Sequence, residues 1–144
     1  MPELFLPDDT ASEALGEALS RITPPGGTWL LQGDLGAGKT TWTRGFVRGL
    51  GGDPEDVASP TYAVLHRYAV PAGRVFHLDL YRPGVGGAWS LGLEEILTAA
   101  DRLVVEWAGE DGPWPTAWVA HLWMESEGEG RRAKWTQPDE TFAR

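Results

Sequence analysis

The eight residues Gly33-Asp34-Leu35-Gly36-Ala37-Gly38-Lys39-Thr40 constrain this chain more than any other stretch. They match G-x-x-x-x-G-K-T, and the neighbouring residues supply the elements that pattern needs. Before it, Thr28-Trp29-Leu30-Leu31-Gln32 is an apolar run of buried-strand length; after it, Trp42, Phe46, Val47 and Leu50 recur on one face of a helix. A strand, a glycine-rich loop and a helix in that order make a cradle for phosphate. The glycines let backbone N–H groups converge on phosphate oxygens, and the helix aims its N-terminal dipole at the same anion. In such a loop Lys39 reaches the β and γ phosphates of a nucleotide from a solvent-open site, and the Thr40 hydroxyl ligates Mg²⁺. Lys39 and Lys134 are the only lysines, against ten arginines, so the placement of Lys39 is informative.

Guanine recognition in the manner of the small GTPases needs an Asn/Thr-Lys-x-Asp motif, and the chain has no asparagine and no lysine followed two places later by aspartate. A D-x-x-G magnesium loop is also missing. ATP is favoured by elimination.

Phosphoryl transfer needs the metal held from a second side and a group that orients the attacking water. Two carboxylates end apolar runs: Asp79 after Val75-Phe76-His77-Leu78, and Glu106 after Leu103-Val104-Val105. Ligands of open α/β sheets sit beyond the carboxyl ends of the strands, so both acids face the phosphate loop if their strands run parallel to the first. Asp79 is assigned to magnesium, through water, and Glu106 to the metal shell or the attacking water. The catalytic set is then Lys39, Asp79 and Glu106, with Thr40, Asp79 and Glu106 around the metal. Ser59-Pro60-Thr61 lies between the loop helix and the strand bearing Asp79. Thr61 either senses the γ-phosphate or the metal, or is an ordinary turn hydroxyl. His77 shares a strand face with Asp79 by period two and reads as a satisfied core histidine without a chemical role. Trp107, beside Glu106, belongs at the site or at a partner surface.

The other segments continue an alternating pattern. Leu4-Phe5-Leu6 suggests a short strand, and Thr10-Ala11-Ser12-Glu13 has capping-box spacing before a helix with the stripe Ala14, Leu15, Ala18, Leu19 and Ile22. Tyr62 to Tyr68 and Arg74 to Tyr81 suggest a hairpin around Pro71-Ala72-Gly73; a short helix is expected near Leu93 to Ala99, and a closing hairpin from Ala117 to Met124 and Arg131 to Thr136. The expected fold is α/β: a single-domain P-loop NTPase sandwich over residues 1–144, its sheet mostly parallel with antiparallel edge strands and a C-terminal hairpin.

Composition excludes several other classes. A chain of 144 residues, 42% apolar, has room for one core of ordinary size. No run approaches the length of a membrane span and Met1-Pro2-Glu3-Leu4 lacks a basic segment before an apolar export core, so a cytoplasmic location is expected. Without cysteine, any cation must be a hard one on oxygen ligands, which suits magnesium. A net charge of −9 argues against gripping nucleic acid directly.

In order along the chain stand Gly33-Asp34-Leu35-Gly36-Ala37-Gly38-Lys39-Thr40-Thr41, Ser59-Pro60-Thr61-Tyr62, His77-Leu78-Asp79-Leu80-Tyr81-Arg82 and Val105-Glu106-Trp107. Together they resemble the TsaE (YjeE) family, ATPases of bacterial tRNA threonylcarbamoyladenosine biosynthesis, from about Leu6 to Arg132. The resemblance implies ATP binding with magnesium, ATP hydrolysis, and the partners TsaB and TsaD, whose complex transfers threonylcarbamoyl to adenosine 37 of tRNA. By that resemblance Lys39, Thr40 and Thr41 match the phosphate and metal loop, and Asp79 and Glu106 the acidic positions. Asp9 and Gly130-Arg131 fall where the family closes over the nucleotide. Pro83 to Leu91 is richer in glycine than the family pattern. With TsaD holding tRNA, an acidic ATPase touches RNA only indirectly.

Two other functions suit a phosphate loop. A small-molecule kinase needs an arginine-bearing lid and an acceptor pocket, for which this length leaves little room. A nucleotide-switched binding module with incidental hydrolysis would use the same residues.

Overall fold

The apolar run before the glycine-rich loop becomes the middle strand of a seven-stranded sheet. The computed structural model describes residues 1–33, 38–57, 65–71, 73–80, 92, 95, 101–108, 114 and 118–138. Its elements are β1 (Glu3–Leu6), α1 (Asp9–Arg21), β2 (Thr28–Gly33), α2 (Lys39–Gly49), β3 (Leu65–Val70), β4 (Gly73–Asp79), β5 (Arg102–Glu106), β6 (Val119–Glu127) and β7 (Gly130–Thr136). The strand order is β1-β7-β6-β2-β5-β4-β3. β6, β2, β5 and β4 run parallel to one another, while β3 pairs antiparallel with β4 and β7 antiparallel with β6 and β1. The α/β architecture, the parallel centre, the antiparallel edges and both hairpins agree with the sequence pattern. The helix expected near Leu93 to Ala99 lies largely outside the described residues. Among those residues no helix is long and apolar enough to cross a membrane.

A strand flanked on both sides must be apolar on both faces, and β2 divides its side chains accordingly. Trp29 and Leu31 join Trp42, Phe46 and Val47 of α2, Leu15 and Leu19 of α1, and Ala120, Leu122 and Met124 of β6 in the larger core. Leu30 faces the other way, onto Phe76, Leu78, Leu103, Val105 and Trp114.

The first helix departs from its expected stripe. Leu15 and Leu19 are buried, but Ala14, Ala18 and Ile22 face solvent, and Ser12, Gly16 and Ser20 take the buried face instead. Its cap also shifts: Asp8, not Thr10, accepts a hydrogen bond from the Ala11 N–H at 2.9 Å. The rotation follows from the close approach of α2. A Cβ on Gly16 would collide with the Trp42 carbonyl oxygen, and one on Gly45 with the Glu13 backbone. Small residues are buried here because they admit a neighbouring backbone, a preference that apolar periodicity does not register. Gly45→Ala is therefore expected to destabilise, although alanine is the better helix former. Overpacking against rigid backbone costs about 1–3 kcal/mol, against about 1 kcal/mol gained in propensity. Urea unfolding should show a lower midpoint with an unchanged slope, whereas the exposed Ala18→Gln should move it little. An equally stable Gly45→Ala protein would contradict the close crossing.

Candidate functional site

The parallel register brings the two strand-end carboxylates together. Leu31 of β2 aligns with Glu106 of β5, and Glu106 with Asp79 of β4, so the acids sit on neighbouring strands at the carboxyl edge of the sheet. Glu106 and Asp79 share the face that carries Val104, His77 and Val75, the side on which α2 packs. Each closes an apolar run, and the strand orientation expected for them is the one observed.

Lys39 is the first residue of α2 and comes back over the end of β2. Its Nζ donates to the Gly33 carbonyl at 2.6 Å, lies 4.0 Å from Glu106 Oε1, and rests 4.0 Å from the centre of the Trp107 ring. The ammonium is not solvent-open as the motif alone suggests: Lys39 is 5% exposed. Trp107 lies over it. Its backbone turns sharply after β5, with φ at 61°, a left-handed conformation that costs a bulky residue about 1–3 kcal/mol. That turn carries the indole onto the lysine, and places Trp107 at the site.

Glu106, 4% exposed, is held from its other side. Its Oε2 lies 2.5 Å from His77 Nε2, and His77 Nδ1 lies 3.2 Å from the Tyr68 hydroxyl on β3. Burial, helped by the Glu106 charge, pushes the Tyr68 pKa up to about 12, so the phenol keeps its proton. His77 is a satisfied core histidine, as expected, but its partner is the acid of the site. Period-two alternation put His77 beside Asp79 on its own strand; the bond runs instead across the sheet to a residue 29 positions away.

Gly38 precedes α2 with φ at 95°, a conformation glycine adopts without strain, and it gives the helix no side-chain cap. The first-turn amides of Lys39, Thr40 and Thr41 thus stand at a helix N-terminus suited to an anion. Arg131 of β7 lies against this turn: a Cβ on Gly38 would meet its Nε at 2.6 Å and its Cδ at 2.7 Å. Arg131 Nη1 also donates to Asp9 Oδ1 at 3.3 Å, which draws the start of α1 to the same place. Gly130, beside it, opens β7. Of the expected site residues, Asp9, Gly33, Gly38, Lys39, Thr40, Thr41, Asp79, Glu106, Gly130 and Arg131 thus gather at one edge of the sheet. Asp34, Leu35, Gly36, Ala37 and Thr61 lie outside the described residues.

Among the described residues no cluster of three or more His, Asp or Glu side chains is arranged to hold a metal unaided. Thr40, Asp79 and Glu106 offer only oxygen donors, the kind a hard cation takes.

The family model described as "Threonylcarbamoyl adenosine biosynthesis protein TsaE" matches residues 6–133. Proteins named tRNA threonylcarbamoyladenosine biosynthesis protein TsaE are 46% identical in Synechocystis over 80 residues, 37% in Bacillus subtilis over 102 and 32% in Nostoc over 142. These matches cover 56%, 71% and 94% of this chain, and 50%, 62% and 86% of the respective relatives. The crystal structure of Bacillus subtilis YdiB superposes with a TM-score of 0.72 at 24% identity, covering 98% of this chain and 88% of that one; it supports the fold alone. With 128 consecutive residues spanned by the family model, from Leu6 to Ala133, the chain belongs to the TsaE family.

Proposed function

We propose that this chain binds Mg-ATP at the N-terminus of α2 and hydrolyses it, as the ATPase component of tRNA threonylcarbamoyladenosine formation at adenosine 37, acting with TsaB and TsaD. The observation that carries the reading is the convergence of Lys39, Glu106 and the uncapped first turn of α2 at the carboxyl end of β2. The family membership supports the pathway.

In this reading the α2 amides and Lys39 bind the β and γ phosphates, with Arg131 and Asp9 beside them. Thr40 and Asp79 would hold the metal, Asp79 through water. A bound magnesium ion supplies charge neutralisation at the phosphate oxygens. Glu106 accepts a hydrogen bond from the attacking water and aligns it; the acid is already fixed on one side by His77. The net charge of −9 suits a component that leaves tRNA to its partners.

The deciding measurement is phosphate release by the chain alone and with purified TsaB and TsaD. Turnover that depends on magnesium and rises with both partners is expected. No release in any combination would exclude the ATPase, and phosphate appearing on a nucleoside or sugar would show a kinase.

A further inference from the structure

A buried polar chain crosses three strands beside Lys39: Tyr68 on β3, His77 on β4 and Glu106 on β5, respectively 3%, 1% and 4% exposed. One tautomer of His77 satisfies every link. An ionised Glu106 only accepts, so the bond to its Oε2 takes its hydrogen from His77 Nε2. In the Nε2–H tautomer Nδ1 is an acceptor, and the Tyr68 hydroxyl donates to it. Each link is satisfied, and each fixes the next. The bond to Oε2 leaves Oε1 as the oxygen turned to Lys39, 4.0 Å from its Nζ.

We propose that His77 is a positioning residue for Glu106: its Nε2–H pins one carboxylate oxygen so that the other stays aimed into the phosphate site, with Tyr68 holding the imidazole in the required tautomer. The proposal rests on the reading of the site as an ATPase. A purely structural histidine fills the same space, but its loss would act on folding and not on turnover through Glu106. Glutamine and asparagine separate the two roles. Both are neutral and polar; the glutamine amide reaches close to the position of Nε2, while the asparagine amide stops near that of Nδ1.

The experiment is steady-state ATP hydrolysis by the full chain with TsaB and TsaD, on His77→Gln, His77→Asn and Tyr68→Phe, with Lys39→Ala as the reference for a lost phosphate site. His77→Asn should lower kcat roughly 10- to 100-fold, the usual cost of removing a group that orients a site ligand, with little change in KM. His77→Gln should recover most of that loss, and Tyr68→Phe should fall between wild type and His77→Asn. In a Glu106→Gln background, His77→Asn should cost nothing further, since residues acting as a unit are not additive. Equal turnover in His77→Asn and wild type, or a full additional loss in the Glu106→Gln background, would overturn the positioning role while leaving the ATPase intact. A wild-type chain without any turnover sensitive to Lys39→Ala would overturn the ATPase and the positioning role together.

Discussion

Lys39→Ala is expected to weaken ATP binding roughly 10- to 150-fold, the equivalent of the 1.5–3 kcal/mol attributed to a hydrogen bond made by a charged group. The lysine is prepared for such a bond. Its Nζ is held at the end of β2 by the Gly33 carbonyl and lies over the Trp107 ring, so little side-chain freedom remains to be lost when phosphate arrives. Lys39→Arg should not restore affinity. A planar guanidinium does not fit a gap bounded by the Gly33 carbonyl, Glu106 and Trp107 as a compact ammonium does. The fold should survive the alanine, because the larger core of Trp29, Trp42 and Phe46 is untouched. Isothermal calorimetry with ATP and magnesium, beside a thermal melt of the same protein, checks both halves. Unchanged affinity in a folded variant would refute the phosphate-loop assignment.

Glu106→Gln should lower turnover by about 10²–10⁴-fold, the range supplied by a positioned acid or base, while ATP still binds. The amide keeps the volume and can still bond to His77, so the loss should lie in the chemical step. Asp79→Asn, one strand further from β2, should instead weaken the magnesium-dependent part of ATP binding. The two substitutions are each a neutral isostere on adjoining strands, so a difference between them reports position and not charge. Titrating magnesium at fixed ATP for each variant, followed by single-turnover hydrolysis, separates the effects. Normal binding and hydrolysis in both would show that the strand ends are merely the edge of a sheet.

The candidate site was legible wherever local sequence carries the reason. G-x-x-x-x-G-K-T states its own geometry, because the glycines, the lysine and the helix start are consecutive. Asp79 and Glu106 could be found because each terminates an apolar run, and a strand has only two ends. The hairpins of β3 with β4 and β6 with β7 were marked by Pro71, Gly73, Gly128 and Gly130, whose backbone preferences act within a few residues.

The sequence by itself thus determined the class of fold, the helix that follows the glycine-rich segment and the acids at the strand ends, since these depend on side-chain period, turn chemistry and short spacing. Only the tertiary structure decided that α1 turns Ser12, Gly16 and Ser20 inward, because a glycine needed for backbone contact with Trp42 and a glycine in a solvated turn have the same letter. It alone buried Lys39 beneath Trp107, through a left-handed turn after β5, and brought Arg131 against Gly38 from the far end of the chain. The bond from His77 to Glu106 belongs to the same group: register between parallel strands sets which side chains meet, and parallel register is fixed by the packing of the whole sheet.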